Sequence, residues 1–566
     1  MTPLGTLRSA LVALLLAGTA IPASAQGVSG PYLSAKVAEA DREFSQAAAR
    51  FAEALVMDPG NPAIQQGLVA ANLALAEVDL VKSTAQDMVD AGTYSQLAFM
   101  TLISTAAKSG EWATVQKMID DGQGVGPLVD GLGLAWALVG QGKMSEALSA
   151  FDTVAAQDGL NSFGLYHKAL ALALVGDLEG AEKIFAEQGS ARVQSTRRGA
   201  MAYAEVLSQL DRNGDAVEML DATFGTDLDP ALRKMRADLS DGERLPITHI
   251  RTAEDGLAEV FFAVAGALEG EASDDYTLIY SRLAEYLRPD HVDATLLSAD
   301  LLERMGRYAL ATETYRKVPA DDPAFHAAEM GRAEALRRQG KTDTAIEVLQ
   351  GLSKSHSELP IVHLTLGDFY RGEARYAEAV KAYDKALSLY ADPNDARWFA
   401  FYTRGIAHER LGEWDAAEKD FRTALDMNPG QPQVLNYLGY SLVEMGIKLD
   451  EALSMIEQAV AVSPDSGHIV DSLGWVLYRL GRYEEAVDHM ERAAELMPVD
   501  PVVTDHLGDV YWAVGRNLEA RFQWQRALSF EPEDKDATRI RLKLEKGLDQ
   551  VLLEEGAEPL KVADGK

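Results

Sequence analysis

Cysteine is absent from all 566 residues. That excludes disulfides, iron–sulfur clusters, thiolate zinc sites and a lipid-bearing N-terminal cysteine. Aromatic residues are sparse at 7%, and with 20 prolines and 46 glycines the chain is not a low-complexity polymer. After the first twenty residues no run is apolar enough to cross a bilayer. Basic residues are also short, 53 Lys and Arg against 87 Asp and Glu, for a formal net charge of -34. Such a surface is well solvated. It repels nucleic-acid phosphates and anionic lipid, so neither is expected as a partner, and basic partners would be attracted.

What is present favours buried helices. Apolar residues make up 47% of the chain, enough to build a core. Alanine, leucine and glutamate are abundant and favour helix. The length exceeds what one compact core holds, so several domains or a repeat array are expected. The first residues read as an export signal. Arg8 supplies positive charge, Ala10 to Ala20 is a short apolar run, and Ala23-Ser24-Ala25 has the small-x-small pattern of a cleavage site. Cleavage is expected after Ala25, which would leave a periplasmic protein with no membrane span and, lacking cysteine, no lipid anchor.

Internal repetition is the strongest signal. Asp465–Pro498 and Val499–Pro532 align at an offset of 34, pairing Leu473-Gly474 with Leu507-Gly508, Gly481 with Gly515, Ala486 with Ala520 and Ala493 with Ala527. Gly474 and Ala486 are small where two antiparallel helices would touch. Gly481 suits a turn at positive φ, and Pro498 stops the second helix. The alanine recurs upstream at Ala452, Ala417, Ala379, Ala345 and Ala311, with longer steps only where loops around 390–396 and 446–450 insert residues. This resembles the tetratricopeptide repeat, a helix–turn–helix unit of that length. The resemblance implies an all-α, right-handed α-solenoid.

The N-terminal half repeats less cleanly. Ala47, Phe51, Ala54 and Pro59 form a first unit, Val81 and Val115 continue it, and Ala147, Ala181 and Ala216 follow. The register fails between about 227 and 254, where Asp241-Gly242 and Leu245-Pro246 break it. The expected layout is a degenerate solenoid over 28–240, a joint at 241–254, and a second arm over 255–534. A single helix over 535–553 should cover the last repeat, ahead of a disordered tail at 554–566.

No catalytic constellation emerges. The loop Gly122-Gln123-Gly124-Val125-Gly126 lacks dinucleotide-binding spacing. Asp211, Asn213 and Asp215 open like a calcium loop, but Ala216 and Ala222 stand where glycine and glutamate belong. The ten histidines form no zinc motif. Repeats leave no room for a separate catalytic domain, so the chain reads as a non-enzyme that needs no cofactor or metal.

In repeats of this type the first helix of each pair lines the inner face. Its fifth position holds Asn436, Asp471 and Asp505; its ninth holds Tyr440, Trp475 and Asp509; its twelfth holds Val443, Tyr478 and Trp512. Phe399 and Tyr402 point the same way one repeat earlier. Polar groups beside rigid aromatics suit an extended or helical peptide. Trp475 and Trp512 could equally pack between neighbouring first helices, and Asp471 and Asp505 could equally satisfy helix ends.

The stretches Val434–Tyr440, Ile469–Tyr483, Asp505–Gly515 and Arg521–Leu528 further resemble a set of proteobacterial envelope proteins with these repeats. The resemblance runs from about 254 to 548. Some relatives are lipoproteins that recruit a carboxy-terminal processing protease and deliver cell-wall hydrolases to it. It implies an adaptor that holds other proteins or peptides. A structural assembly factor for secretion or polysaccharide export, and a regulatory subunit of an envelope enzyme, are the competing expectations. Partner identity and oligomeric state are not encoded in these patterns.

Overall fold

A computed structural model of the chain describes residues 27–187, 196–225, 228–390, 397–557 and 560. The expected export signal at 1–25 and most of the expected disordered tail lie outside these residues. Among the described residues there are 31 α-helices, one short 3₁₀ turn and no strand, so the fold is the all-α solenoid of helix pairs that the 34-residue period implies. None of these helices is long and apolar enough to cross a membrane.

The chain divides into two compact units, 1–348 and 349–566. The division falls well beyond the 241–254 segment at which the sequence suggests a joint. The physical reason lies in the helices that follow that segment. Ala253–Leu268 packs against Pro127–Gly140 and Asn161–Leu174, and Asp274–Leu287 packs against Pro62–Ala74 and Gln96–Lys108. The chain therefore turns back onto its own earlier repeats. Segment 241–252 is the turn that lets it do so.

The turn is irregular but held. Glu205 accepts from the backbone N–H of Thr248 at 3.0 Å and of His249 at 3.2 Å. Arg288 donates to the carbonyls of His249 and Thr248, each at 2.9 Å. The returning helix fits closely, because a Cβ at Gly256 would stand 2.3 Å from the Trp136 indole. It also carries Glu259 inward, 1% exposed. That carboxylate is paired with Arg198 and lies 3.1 Å from His291 Nε2. Burial would raise its pKa, but Arg198 and His291 hold it well below the usual carboxylate range.

The second unit is built on five helix pairs: Pro360–Gly372 with Tyr376–Leu389, Arg397–Arg410 with Trp414–Met427, Pro432–Glu444 with Leu449–Val462, Gly467–Arg479 with Tyr483–Leu496, and Pro501–Ala513 with Asn517–Ser529. Proline opens the first helix three times, where its missing N–H has no intrahelical partner to lose. The turn inside the pair Gly467–Leu496 is made by Gly481 at φ 76°.

One contact recurs through all five pairs. A glycine in the first helix lies against a large side chain of the second: Gly367 on Tyr383, Gly405 on Phe421, Gly439 on Ile456, Gly474 on Met490 and Gly508 on Trp524. A Cβ at these glycines would stand between 2.5 and 2.8 Å from the facing side chain. Each of the five large side chains is fully buried. The apolar mass of each pair is thus carried by one helix and admitted by the other.

The last repeat is covered by two helices rather than the single helix expected from sequence: Asp534–Lys546 and Leu548–Glu554. Gly547 separates them at φ 86°. A Cβ there would also stand 2.8 Å from the Trp512 ring, so both backbone and packing demand glycine.

The glycine contacts predict a graded response to one added methyl. Gly508→Ala pushes against the rigid indole of Trp524 and should destabilise by about 1–3 kcal/mol, less the ~1 kcal/mol that alanine gains in helix propensity. Gly474→Ala meets the flexible Met490 side chain and should cost less. Denaturant midpoints of the two variants, followed by helical circular dichroism, check the order.

Candidate functional site

The first helices of the second unit wall a cleft of about 730 Å³. Pro432–Glu444 contributes Asn436, Tyr437, Tyr440 and Glu444, and Gly467–Arg479 contributes His468 and Asp471. Glu409, Arg410 and Trp414 border one end; Asp500 and Val502 border the other. A second hollow of about 520 Å³ shares Tyr440, Glu444 and Val502 with the first and runs on past Trp475 to Arg539. The two form one channel across successive repeats.

Hydrogen bonds fix several of its walls. Trp475 Nε1 donates to Glu444 at 2.7 Å, and Tyr437 Oη donates to Glu409 at 3.3 Å. Tyr402 and Tyr437 meet edge to face at 6.0 Å. The Asn436 Oδ1 acceptor is buried and has no hydrogen-bond partner among the described residues.

Under Trp475 lies a charged stack. The indole is parallel to Tyr478, ring centroids 4.8 Å apart, and to His506 at 4.0 Å. His506 Nδ1 is 3.1 Å from both carboxylate oxygens of Asp471. Burial would lower the His506 pKa, but Asp471, helped by Asp505 and Asp509, outweighs it and the net shift is upward. Asp505 is pushed up to about 6 by burial and by the Asp509 charge, against the pull of Lys543.

Sequence profiles of the tetratricopeptide repeat match residues 398–431 and 471–498, and a second profile of the same description matches 132–191 and 330–396. The chain belongs to the tetratricopeptide-repeat family. It is 30% identical over 187 residues to a TPR repeat-containing protein of Pseudomonas aeruginosa, covering 32% of this chain and 30% of that one. The chain thus spans less than a third of that relative's length. It is 31% identical over 119 residues to the photosystem I assembly protein Ycf3 of Cyanophora paradoxa, 19% of this chain and 67% of that one. Among solved structures it is similar to the Cut9–Hcn1 hetero-tetramer of the APC/C, at 15% identity and a TM-score of 0.39 over 92% of this chain and 96% of that one. Tetratricopeptide-repeat proteins generally mediate protein–protein interaction.

The repeat register places the predicted residues unevenly. Asn436, Tyr440 and Asp471 line the cleft, and Phe399 is 37% exposed one repeat earlier, with Tyr402 beside it. Trp475 and Tyr478, expected as open contact area, are 8% and 7% exposed because they stack on each other and on His506.

In the last repeat Asp509 is buried, and Asp505, which also lines the second hollow, and Trp512 are tied to the cap. Lys543, 0% exposed, reaches in from the covering helix and donates to Asp505 and Asp509 at 2.6 Å each. Trp524 Nε1 also donates to Asp509, at 2.8 Å. Trp512 Nε1 donates to Asp549 of the final helix at 2.9 Å. Those three residues hold the cap, which one amino-acid period cannot reveal.

Trp414, Tyr437 and Glu444 line the cleft and escape the sequence reading. Tyr437 stands 35 residues after Tyr402, so the repeat step itself carried that signal. The glycine-rich loop at 122–126 is closed by its own helix. Asp130 accepts from Val125 N–H at 2.6 Å and Gly126 N–H at 3.1 Å, which leaves no cradle for a phosphate.

The stack under Trp475 predicts a pH signature. A raised histidine pKa contributes stability fully present below the unfolded value near 6.5 and lost as pH rises through the folded value. Asp505, raised to about 6, acts with the same sign at lower pH. The advantage of the native chain over His506→Gln in denaturant midpoint should therefore be larger at pH 6 than at pH 8.5. An advantage that grew with pH would contradict the assignment.

Proposed function

We propose that this chain is a non-catalytic scaffold of the bacterial cell envelope that holds an extended segment of a partner protein in the cleft along Asn436 and Tyr440. The observation that carries this reading is the channel itself, walled across successive first helices by Asn436, Tyr437, Tyr440 and Asp471. Polar and aromatic side chains repeated along such a channel suit an extended peptide. The rigid rings of Tyr437 and Tyr440 add contact area at little entropic cost.

The envelope assignment rests on the N-terminal signal pattern and on the resemblance to envelope adaptors. In that setting the partners are proteins or peptides rather than nucleic acid, and recruitment of a processing protease or cell-wall hydrolases is the specific role we favour. The family's scaffolds are generally non-catalytic, which agrees with the absence of any catalytic motif in the sequence.

Two measurements test this. Affinity capture from the envelope fraction should lose partners by about tenfold or more when Asn436 and Tyr440 are both changed to alanine. Unchanged capture would remove the cleft from consideration. Protein isolated from cells should begin at Gln26; a mature chain that still begins at Met1 would overturn the export reading.

A further inference from the structure

The five helix pairs of the second unit repeat one another closely enough to serve as internal controls for each surface position. Two positions on the second helix, two residues before and two after its buried alanine, face solvent in every pair. In the first four pairs they hold Ala377 and Lys381, Asp415 and Lys419, Asp450 and Ser454, and Glu484 and Asp488. In the fifth they hold Leu518 and Phe522, which are 74% and 68% exposed. These two lie one turn apart on the same side of Asn517–Ser529.

A third position changes in the same way. Arg492 is paired with Asp465 at 2.9 Å. One period later Arg526 stands in the place of Arg492, but Val499, 69% exposed, stands in the place of the carboxylate. Among the described residues the Arg526 charge finds no carboxylate: it donates to the Pro498 carbonyl and lies over the Phe530 ring, 5.5 Å from its centroid. Three carboxylates of one repeat are thus exchanged for three exposed apolar side chains in the next. Contiguous apolar surface of this kind marks a place where another molecule docks.

The charges select the occupant. In a chain of net charge -34 most surfaces repel a second copy. Tyr483–Leu496 carries five carboxylates and one arginine, whereas Asn517–Ser529 carries one carboxylate, Glu519, and two arginines. Glu519 and Arg526 are seven residues apart, two turns or about 10 Å, on the side of the helix that exposes Phe522. A copy of this helix laid antiparallel across it, about a two-fold axis beside Phe522, brings the two Phe522 rings together. The same operation sets Glu519 of each copy opposite Arg526 of the other, so the face complements itself. Glu519 accepts from Arg516 at 3.2 Å within its own chain, and a carboxylate accepts from more than one guanidinium.

We propose that the outer face of Asn517–Ser529 is a self-association surface, through which two copies of this chain pair antiparallel about a two-fold axis at Phe522. The proposal does not depend on the cleft or on what the cleft holds.

Sedimentation of the full chain tests it. The native chain should run as a dimer at about 10 μM. Leu518→Glu with Phe522→Asp, which installs the residues of the preceding repeat, should weaken association at least tenfold and leave the thermal melt unchanged. Arg526→Glu alone should also weaken it, and adding Glu519→Arg should restore it, because the two charges reverse together. A native chain that stays monomeric at about 100 μM overturns the proposal, as does a dimer that the changes at Leu518 and Phe522 leave intact. Weakening by Arg526→Glu that Glu519→Arg does not relieve overturns the antiparallel pairing.

Discussion

The second unit depends on one steric bargain, repeated in every helix pair: a glycine on the first helix admits a bulky side chain from the second. Five such contacts set how near the two helices come, and with helix separation fixed, the angle and spacing of the next pair follow. The identity of the bulky partner varies among Tyr, Phe, Ile, Met and Trp, so the constraint is on the hole and not on the knob. This is why the glycine–alanine skeleton survives in sequence while the filling residues drift. The cleft inherits its geometry from this skeleton, because residues that line it sit on the same helices that carry the glycines.

The first unit solves a different problem. Its repeats bury large side chains of their own, Phe51, Trp136, Phe151 and Phe185, and they also receive part of their core from later helices that come back against them. Bringing Ala253–Leu268 inward places Glu259 where water does not reach. Arg198, His291 and the adjacent Arg288 compensate that charge. Removing any single partner would leave an unbalanced buried ion, which costs more than the pair contributes. The network therefore specifies where the returning helix lies more than it adds to stability.

This division marks what sequence patterns can show. The 34-residue step, the positions of Gly481 and Gly515 and the insertion at 446–450 were legible, since each lies within one repeat; the insertion expected around 390–396 falls almost wholly outside the described residues. The return of the chain at 241–252 was not legible. Its signature, Asp241-Gly242 and Leu245-Pro246, says that helices stop, but the partners of the next helix, Pro127–Gly140 and Asn161–Leu174, lie several repeats earlier. The inner-face register likewise placed Asn436 and Tyr440 on one face, where both line the cleft, because this depends only on helical phase. It gave no sign that Asp505, Asp509 and Trp512 also bond the cap, because the groups that reach them, Lys543 and Asp549, follow the array and have no counterpart inside it. Trp475 falls between the two cases: it lines the second hollow, and its cover comes from His506 of the neighbouring repeat.

Lys543 has a consequence for how such an array can grow. Repeat proteins lengthen by duplication, and an uncovered end offers the same apolar edge to a sister molecule that an internal repeat offers to its neighbour. Here the terminal edge is sealed by an ammonium group shared between Asp505 and Asp509. Head-to-tail polymerisation through this end would have to strip a buried cation from both carboxylates. A repeat inserted after Ser529 would leave that cation facing a surface without them. Duplications upstream of Pro501 leave the seal intact, so the array can lengthen only from within.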